Sequence, residues 1–383
     1  MTTAYIKIKF PFWSIQPVFH VYDIGYAFFP PGIIDMELPK KNKYTNFKNI
    51  ETILFEKTSR LEIQKMTNLI RSHYLQNGQN VFAPKKENIV PYFKGHNPCF
   101  FTFYYETVLL NDLKNGSPIE DKKMISVMTS RPIHIIINKE KQNKMIRNEL
   151  DAYYVDYLCV DKDYRKKGIA PQMIQTHYYN QRHIHNIHVN LFKREEDLTG
   201  IVPVCVFSTY GFQVTKWRKP PDLPPVYTLL EISLQNFHLL YDFIKQNRDR
   251  FDILIYPETS NLMELIKTNN IFIYAVLLEN EIVCAYFYRK TCSFIEKNME
   301  ILSCFASINS GHSIFVQGFK CSFWKTSEKH YFGFATIENI SHNHAIIENI
   351  RIKTKPYIVS PTAYFFYNFA YPTFKPEKAF ILN

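Results

Sequence analysis

The sequence predicts an α/β protein: a mixed β-sheet flanked by helices, arranged in two parts. Three observations predict it. β-forming residues cluster at 100–109 and 124–138, a strand–turn–helix–strand unit follows from 153 to 193, and a similar order of elements begins again beyond a proline cluster near residue 220. The 383 residues exceed an ordinary single domain, and a hydrophobic content of 46% is ample for a buried core.

Residues 1–50 read as irregular, because Pro11, Pro17, Pro30, Pro31 and Pro39 break any long element. Residues 51–76 carry helical periodicity, with Ile53, Leu54, Leu61, Ile63, Met66, Leu69 and Ile70 near one face. The strands at 100–109 and 124–138 are joined by the polar segment Asn111 to Lys123. A strand at 153–160, a helix at 171–181 and a strand at 187–193 make a βαβ-like unit, and another apolar strand covers Ile201–Phe207. The segment Lys216-Trp217-Arg218-Lys219-Pro220-Pro221-Asp222-Leu223-Pro224-Pro225 is the natural linker, since clustered prolines end regular structure. It divides an N-terminal part, 1–219, from a C-terminal part, 220–383. Beyond it come a helix at Asn236–Asn247 and strands at Ile271–Leu278 and Glu281–Tyr288. No sequence repeat joins the halves, but the order of elements suggests two related lobes.

Composition narrows the function classes. The formal charge of +11 suits anionic partners: nucleic acid, a membrane surface or the phosphates of a coenzyme. The basic residues do not concentrate in a tail or along one helix face, and no nucleic-acid motif accompanies them, so nucleic acid is not expected. Seven scattered cysteines lack metal-ligand spacing, which points to a reducing, cytoplasmic compartment and to no metal. No apolar run approaches 18 residues and no signal-peptide pattern opens the chain, so no transmembrane segment is expected.

The segment richest in chemistry is Val155-Asp156-Tyr157-Leu158-Cys159-Val160, followed by Arg165-Lys166-Lys167-Gly168-Ile169-Ala170-Pro171. It reads as a strand feeding a basic, glycine-bearing turn and then a helix. That order leaves free backbone N–H groups at a helix N-terminus, where they can hold a pyrophosphate. The pattern Arg-x-x-Gly-x-Ala resembles the coenzyme A loop of the GNAT acyltransferase superfamily.

Three parts of the chain, in order, resemble the eukaryotic N-myristoyltransferases. Phe12-Trp13-Ser14-Ile15-Gln16-Pro17-Val18 is similar to that family's Phe-Trp-x-x-Gln-Pro-Val signature. Tyr157-Leu158-Cys159-Val160 with Arg165 through Pro171 is similar to its Phe-Leu-Cys-Val and Arg-Ser-Lys-Arg-x-Ala-Pro. Tyr364-Phe365-Phe366-Tyr367-Asn368-Phe369, then Pro372, Glu377 and Lys378, is similar to its Tyr-Tyr-x-Tyr-Asn-Trp block and tail. A weaker fourth match is His73-Tyr74-Leu75 followed by Asn80-Val81-Phe82. The resemblance implies two fused acetyltransferase-like lobes forming a saddle-shaped mixed sheet. A divergent member is expected, viral or other, acting as a monomer in the cytoplasm, which is the host's if the member is viral. The resemblance also implies acyl-CoA as substrate, myristoyl-CoA first and acetyl-CoA as the alternative, and an acceptor protein with a free N-terminal glycine. Phe12 and Trp13 would fold over the coenzyme. The N–H groups of Tyr157 and Leu158 would form the oxyanion hole, with Cys159 and Val160 beside it. Arg165, Lys166, Lys167, Gly168, Ile169, Ala170 and Pro171 would hold the pyrophosphate. The α-carboxylate of Asn383, at the end of the apolar tail Ala379-Phe380-Ile381-Leu382, would take the proton from the amine.

The match weakens on the acceptor side. The family's acidic run is replaced by Gln76-Asn77-Gly78-Gln79, and an acidic contact ahead of the aromatic block by Ile358-Val359-Ser360-Pro361. Two competing readings arise: another acyltransferase of the superfamily acting on another amine, or a non-catalytic acyl-CoA or lipid-binding protein. Other constellations carry bland readings. His183, His185 and His188 lack a shared strand face and read as a polar turn. Cys159 lacks an adjacent base and reads as a small buried residue. Lys193-Arg194-Glu195-Glu196-Asp197 reads first as a solvated loop, with a border of the acceptor groove as the lesser alternative. Ser126, Ser130 and Arg131 read as scaffold.

Overall fold

A computed structural model describes residues 2–75, 80–111, 118–141, 144–195, 200–295 and 299–383. Its architecture is α/β, as the sequence predicts. In the N-terminal half, helices α1 (Thr2–Lys9) and α2 (Ile24–Phe28) precede strands β1 (Gly32–Ile33) and β2 (Ile50–Leu54). Helix α3 (Arg60–His73), strand β3 (Asn80–Phe82) and helix α4 (Lys86–Ile89) follow. Strands β4 (Phe100–Asn111), β5 (Pro118–Lys141) and β6 (Lys144–Val160) lead into helix α5 (Ile169–Ile184), then β7 (Val189–Glu195) and β8 (Cys205–Gln213). The C-terminal half holds β9 (Tyr227–Glu231), α6 (Phe237–Asn247), β10 (Ile253–Pro257) and α7 (Thr259–Lys267). It continues with β11 (Ile271–Leu278), β12 (Glu281–Ile295), β13 (Met299–Asn309), α8 (Phe315–His330), β14 (Phe332–Glu338) and α9 (Asn343–Arg351). Strands β15 (Ile358–Tyr367), β16 (Phe369–Ala370) and β17 (Ala379–Ile381) close the chain.

The two halves repeat one unit. In the first, β4, β5 and β6 run antiparallel, α5 crosses over, and β7 returns parallel to β6. In the second, β11, β12 and β13 run antiparallel, α8 crosses over, and β14 returns parallel to β13. The units share one sheet, in which 15 strands are described. Strand exchange joins them: β10 from the second half pairs with β5, and β15 lies between β7 and β8. Burial explains the compositions. β11 reads Ile-Phe-Ile-Tyr-Ala-Val-Leu-Leu and its first six residues are buried, as suits a strand covered on both faces. Helix α3 opens with a capping box, Ser59 accepting from the Glu62 N–H while Glu62 accepts from the Ser59 N–H, and buries Ile63, Met66, Leu69 and Ile70.

Several boundaries differ from the sequence reading. Residues 50–54 are a strand on β4 rather than the start of the helix, because Ile53 and Leu54 fit an extended edge as well as a helical face. Residues 118–123 of the polar segment belong to β5, paired with β4 out to Asn111 and Pro118, while residues 112–117 lie outside the described residues. The N-terminal region holds a helix that ends before Pro11. Ile201 forms only an isolated bridge to His20, and the strand expected there starts at Cys205.

Candidate active site

The site begins where two strands part. Parallel pairing of β6 with β7 runs from Ala152 with Val189 to Val155 with Phe192 and stops. At that point the β5–β6 register shifts: Thr129 faces Tyr157, Ser130 faces Val155, and Asp156 is the extra residue of a β-bulge. Asp156, Tyr157 and Leu158 therefore sit at the mouth of the split, with no β7 partner in the described register.

Two cavities meet there. The larger, about 770 Å³, lies on the helix α5 side and is mostly apolar: Phe12, Trp13, Met128, Leu158, Ile174 and Phe192 are among its walls. Its size falls within the roughly 300–1,000 Å³ usual for small-molecule sites. The N-terminal segment covers it. Trp13 stacks on Phe192 with ring centres 5.6 Å apart, and Phe12 packs edge-on against Trp13 and Tyr44 at 5.1 Å. This cover is tied to the aromatic strand: Tyr367 donates to Gln16 Oε1 at 2.5 Å, and the Asn368 N–H donates to the Pro17 carbonyl at 2.6 Å. The second cavity, about 410 Å³, lies beyond the split and includes Tyr157, Arg289, Glu338, Ser360 and Asn383. Tyr74, Asp156 and Lys193 line both.

The turn before α5 has the form the sequence requires. Gly168 adopts φ +74°, which a side chain disfavours, and a Cβ placed there would meet nothing within 4 Å. No acidic residue occupies the first turn of α5 and, among the described residues, no side chain caps it; Pro171 has no N–H, so Ile169 and Ala170 carry the donors of this turn beside the cavity. The loop is held from behind. The Lys162 N–H donates to His73 Nδ1 at 3.0 Å, Arg165 donates to the His73 carbonyl, and Lys123 pairs with Asp161 at 3.0 Å.

Of the residues expected to hold the coenzyme, Phe12, Trp13, Leu158, Gly168, Ala170 and Pro171 line the larger cavity. Tyr157 lines the smaller one, and Cys159 and Ile169 point into the core. Val160 packs against the same core as Ile169. Arg165 spends its guanidinium on the His73 and Val160 carbonyls, while Lys166 and Lys167 are exposed on the turn. Burial pushes the Cys159 thiol up to about 12, so it stays protonated, unlike a nucleophilic cysteine.

Asn383 is 4% exposed, Tyr364 donates to its Oδ1 at 3.1 Å, and Arg289 donates to its main-chain oxygen at 2.7 Å. Arg289 also bonds Glu338, which Lys193 reaches at 3.0 Å. Burial pushes the Glu338 carboxyl up, but Lys193 and Arg289 outweigh it and hold it below its ordinary value. Lys193 thus lies on β7 inside the site, with Arg194 and Glu195 on the same strand, rather than in a solvated loop; Glu196 and Asp197 lie outside the described residues. Gln76-Asn77-Gly78-Gln79 also lie outside them, and Ile358 and Ser360 border the smaller cavity. The three histidines at and beyond the end of α5 go separate ways. His183 stacks on Tyr179, His185 bonds the Tyr153 hydroxyl at 3.3 Å, and the His188 carbonyl accepts from Asn368.

Sequence reasoning missed the buried pair beneath the split. Arg131, 1% exposed, donates through Nε to Asp156 Oδ1 at 2.8 Å and lies against the rings of Tyr92 and Tyr154. The available signal was a single carboxylate within the apolar stretch Ala152–Val160 of β6. No helix among the described residues is long and apolar enough to cross a membrane.

No protein-family model matches the sequence, and no curated protein matches it. Similar solved structures exist. Saccharomyces cerevisiae N-myristoyltransferase with bound myristoyl-CoA is 14% identical, with a TM-score of 0.68 over 96% of this chain and 94% of that one. A second structure of that enzyme with myristoyl-CoA gives 12% identity and a TM-score of 0.70 over 98% and 94%. A tandem GNAT protein from the clavulanic acid biosynthesis pathway gives 10% identity and a TM-score of 0.55 over 85% and 100%. The chain therefore has the fold of the N-myristoyltransferase structures, a tandem of acetyltransferase-like units fused through one sheet.

Proposed function

We propose that this protein transfers a long-chain acyl group, myristoyl in the first instance, from acyl-CoA to the N-terminal glycine amine of an acceptor protein. One observation carries the reading: an apolar cavity beside an open helix N-terminus meets a second cavity at the strand split. In this reading, the α5 N-terminus takes the pyrophosphate and the larger cavity takes the acyl chain. The thioester lies at the split, and the acceptor enters from the smaller cavity. The lobe 1–219 binds the donor, and 220–383 supplies the acceptor side and tail.

The N–H groups of Tyr157 and Leu158 serve as the oxyanion hole. Fixed backbone donors stabilise charge as it develops without reorganising. The resemblance supplies the α-carboxylate of Asn383 as proton acceptor, which requires the chain to end there. The apolar walls favour a long acyl chain over acetyl.

The test is release of free CoA-SH from myristoyl-CoA and from acetyl-CoA, each with a library of free-N-terminal-glycine peptides. Peptide-dependent release from myristoyl-CoA supports the reading. Release from acetyl-CoA alone replaces it with a short-chain acyltransferase. Tight binding without release under every peptide replaces it with a binding protein.

A further inference from the structure

We infer that the Asp156 carboxylate takes the proton from the acceptor's ammonium, producing the free amine that attacks the thioester. The inference rests on the acyl-transfer reading and deepens it. Asp156 lies at the bulge beside the proposed oxyanion hole and lines both cavities, so it borders the donor and the acceptor together. Its side chain is 9% exposed. Arg131 fixes Oδ1, while Oδ2 is buried and has no hydrogen-bond partner among the described residues. A buried carboxylate oxygen without a donor is costly unless something fills the site, and an ammonium supplies both a donor and an opposite charge.

The groups around it are consistent with this role. Burial holds Tyr74, Tyr92, Tyr154, Tyr157 and Cys99 above their ordinary values, so they stay neutral at pH 7. Arg131 is the cation in contact with Asp156, while Lys193 and Arg289 across the cavity engage Glu338. Burial raises the proton affinity of Asp156 and Arg131 only partly offsets it, the direction a base needs. Asp156 Oδ1 and the Asn383 main-chain oxygen each accept from a guanidinium, so Asp156 would act through Oδ2, unpartnered among the described residues.

Atoms and charge balance through the step. The ammonium gives one proton to Asp156 Oδ2, and its nitrogen lone pair forms the C–N bond. The tetrahedral oxyanion collapses, the C–S bond breaks, and the nitrogen's surplus proton leaves on the CoA sulfur. Asp156 returns its proton to solvent through the acceptor cavity. The products are the amide, CoA-SH and one proton.

The experiment compares wild type, Asp156→Asn, Asp156→Glu and a protein whose Asn383 ends in a carboxamide, using myristoyl-CoA and a glycine peptide across pH 5–9. Asp156→Asn keeps an oxygen for Arg131 and is expected to lower kcat by about tenfold at pH 7 and about a thousandfold at pH 5, following the fraction of acceptor amine that is already free. Its rate should then climb about tenfold per pH unit toward the acceptor amine's own pKa of about 8, where base help is no longer needed. Its affinity for acyl-CoA should stay within about twofold, and the carboxamide protein, whatever its kcat, should keep the wild-type pH profile. Asp156→Glu, which retains a charge for Arg131, covers the case in which the asparagine variant does not fold; about a tenfold loss of kcat with unchanged acyl-CoA affinity is expected. Wild-type kcat in a folded Asp156 variant overturns the inference, as does a carboxamide protein that loses activity where Asp156→Asn does not. If wild type itself releases no CoA-SH, the acyl-transfer reading fails and this inference falls with it.

Discussion

Acid should destabilise this protein through His177, and the size of the effect is set by where that ring sits. His177 is 1% exposed under the floor of the larger cavity, with Thr102 Oγ1 at 2.8 Å from Nδ1 and Ser130 Oγ at 2.9 Å from Nε2. Two hydroxyls satisfy a neutral imidazole in either tautomer, since each can donate or accept. Burial pushes its pKa from 6.5 down to about 3. Between those values the unfolded chain binds a proton that the folded chain refuses, so stability present above pH 6.5 is lost as the pH falls. From pH 7 to pH 5 the loss from this one group is about 2 kcal/mol. Urea unfolding, read by tryptophan fluorescence and circular dichroism at both pH values, measures it. His177→Gln, which cannot titrate, should lose about 2 kcal/mol less than wild type over the same interval, whatever its stability at pH 7. Buried His96 and His342, held at about 3 and about 4 mainly by burial, add the same sign to both proteins and cancel in the difference. Equal pH dependence in the two proteins would refute the argument.

The turn and the strand beside it carry two further expectations. Gly168→Asp places a carboxylate at the open N-terminus of α5 and should weaken acyl-CoA binding at least about tenfold by calorimetry. Gly168→Asn, which tolerates the left-handed conformation, should weaken it far less. Cys159→Ala should leave CoA-SH release within about twofold of wild type, with no acyl adduct by mass spectrometry in either protein, because the buried thiol is not ionised at pH 7.

The parts of the site legible in the sequence are those contiguous in the chain. Strand β6, the turn at Gly168 and helix α5 occupy one stretch, and their functional groups are largely backbone, so a short motif suffices to place them. Phe12 and Trp13 are legible only through a resemblance, since nothing local says that they cover Phe192. The smaller cavity is not legible. It gathers Tyr74, Asp156, Lys193, Arg289, Glu338 and Asn383 from five strands and loops and the tail, and no periodicity links them. Lys193 shows the difficulty: its neighbours Arg194 and Glu195 make a charge run, yet its ammonium lies against the ring of Phe207 on β8 and that of Tyr364, which the exchange of β15 between lobes brings in. The prolines of the first 50 residues suggest broken structure, whereas Pro11 only bounds a helix.

The repeat predicts one donor site per chain rather than two. Both units carry the same device, a β-bulge where parallel pairing to the returning strand stops. In the second unit Phe287 faces Ala306 and Tyr288 faces Cys304, so Phe305 is the extra residue, and pairing of β13 with β14 ends at Cys304. The identity of the bulged residue separates an open site from a filled one. Asp156 opens onto cavities, while Phe305 is 1% exposed in the core with the Arg289 guanidinium 4.8 Å from its ring centre. The helix starts differ in the same sense. Helix α5 follows an exposed left-handed glycine, whereas α8 follows right-handed Ile314 and begins with buried Phe315. Tyr286 packs on Phe315, donates to its carbonyl at 2.5 Å, and its hydroxyl lies 2.5 Å from where a Cβ on Gly318 would be. Aromatic packing thus fills the place where a second coenzyme would enter, and a ligand there would have to displace several buried rings, at a cost of about 3–5 kcal/mol for each. Titration of the folded protein with myristoyl-CoA should saturate at one equivalent by native mass spectrometry. A second equivalent retained in Gly168→Asp, where the first is weakened, would show that α8 binds coenzyme and that the bulge does not decide between the units.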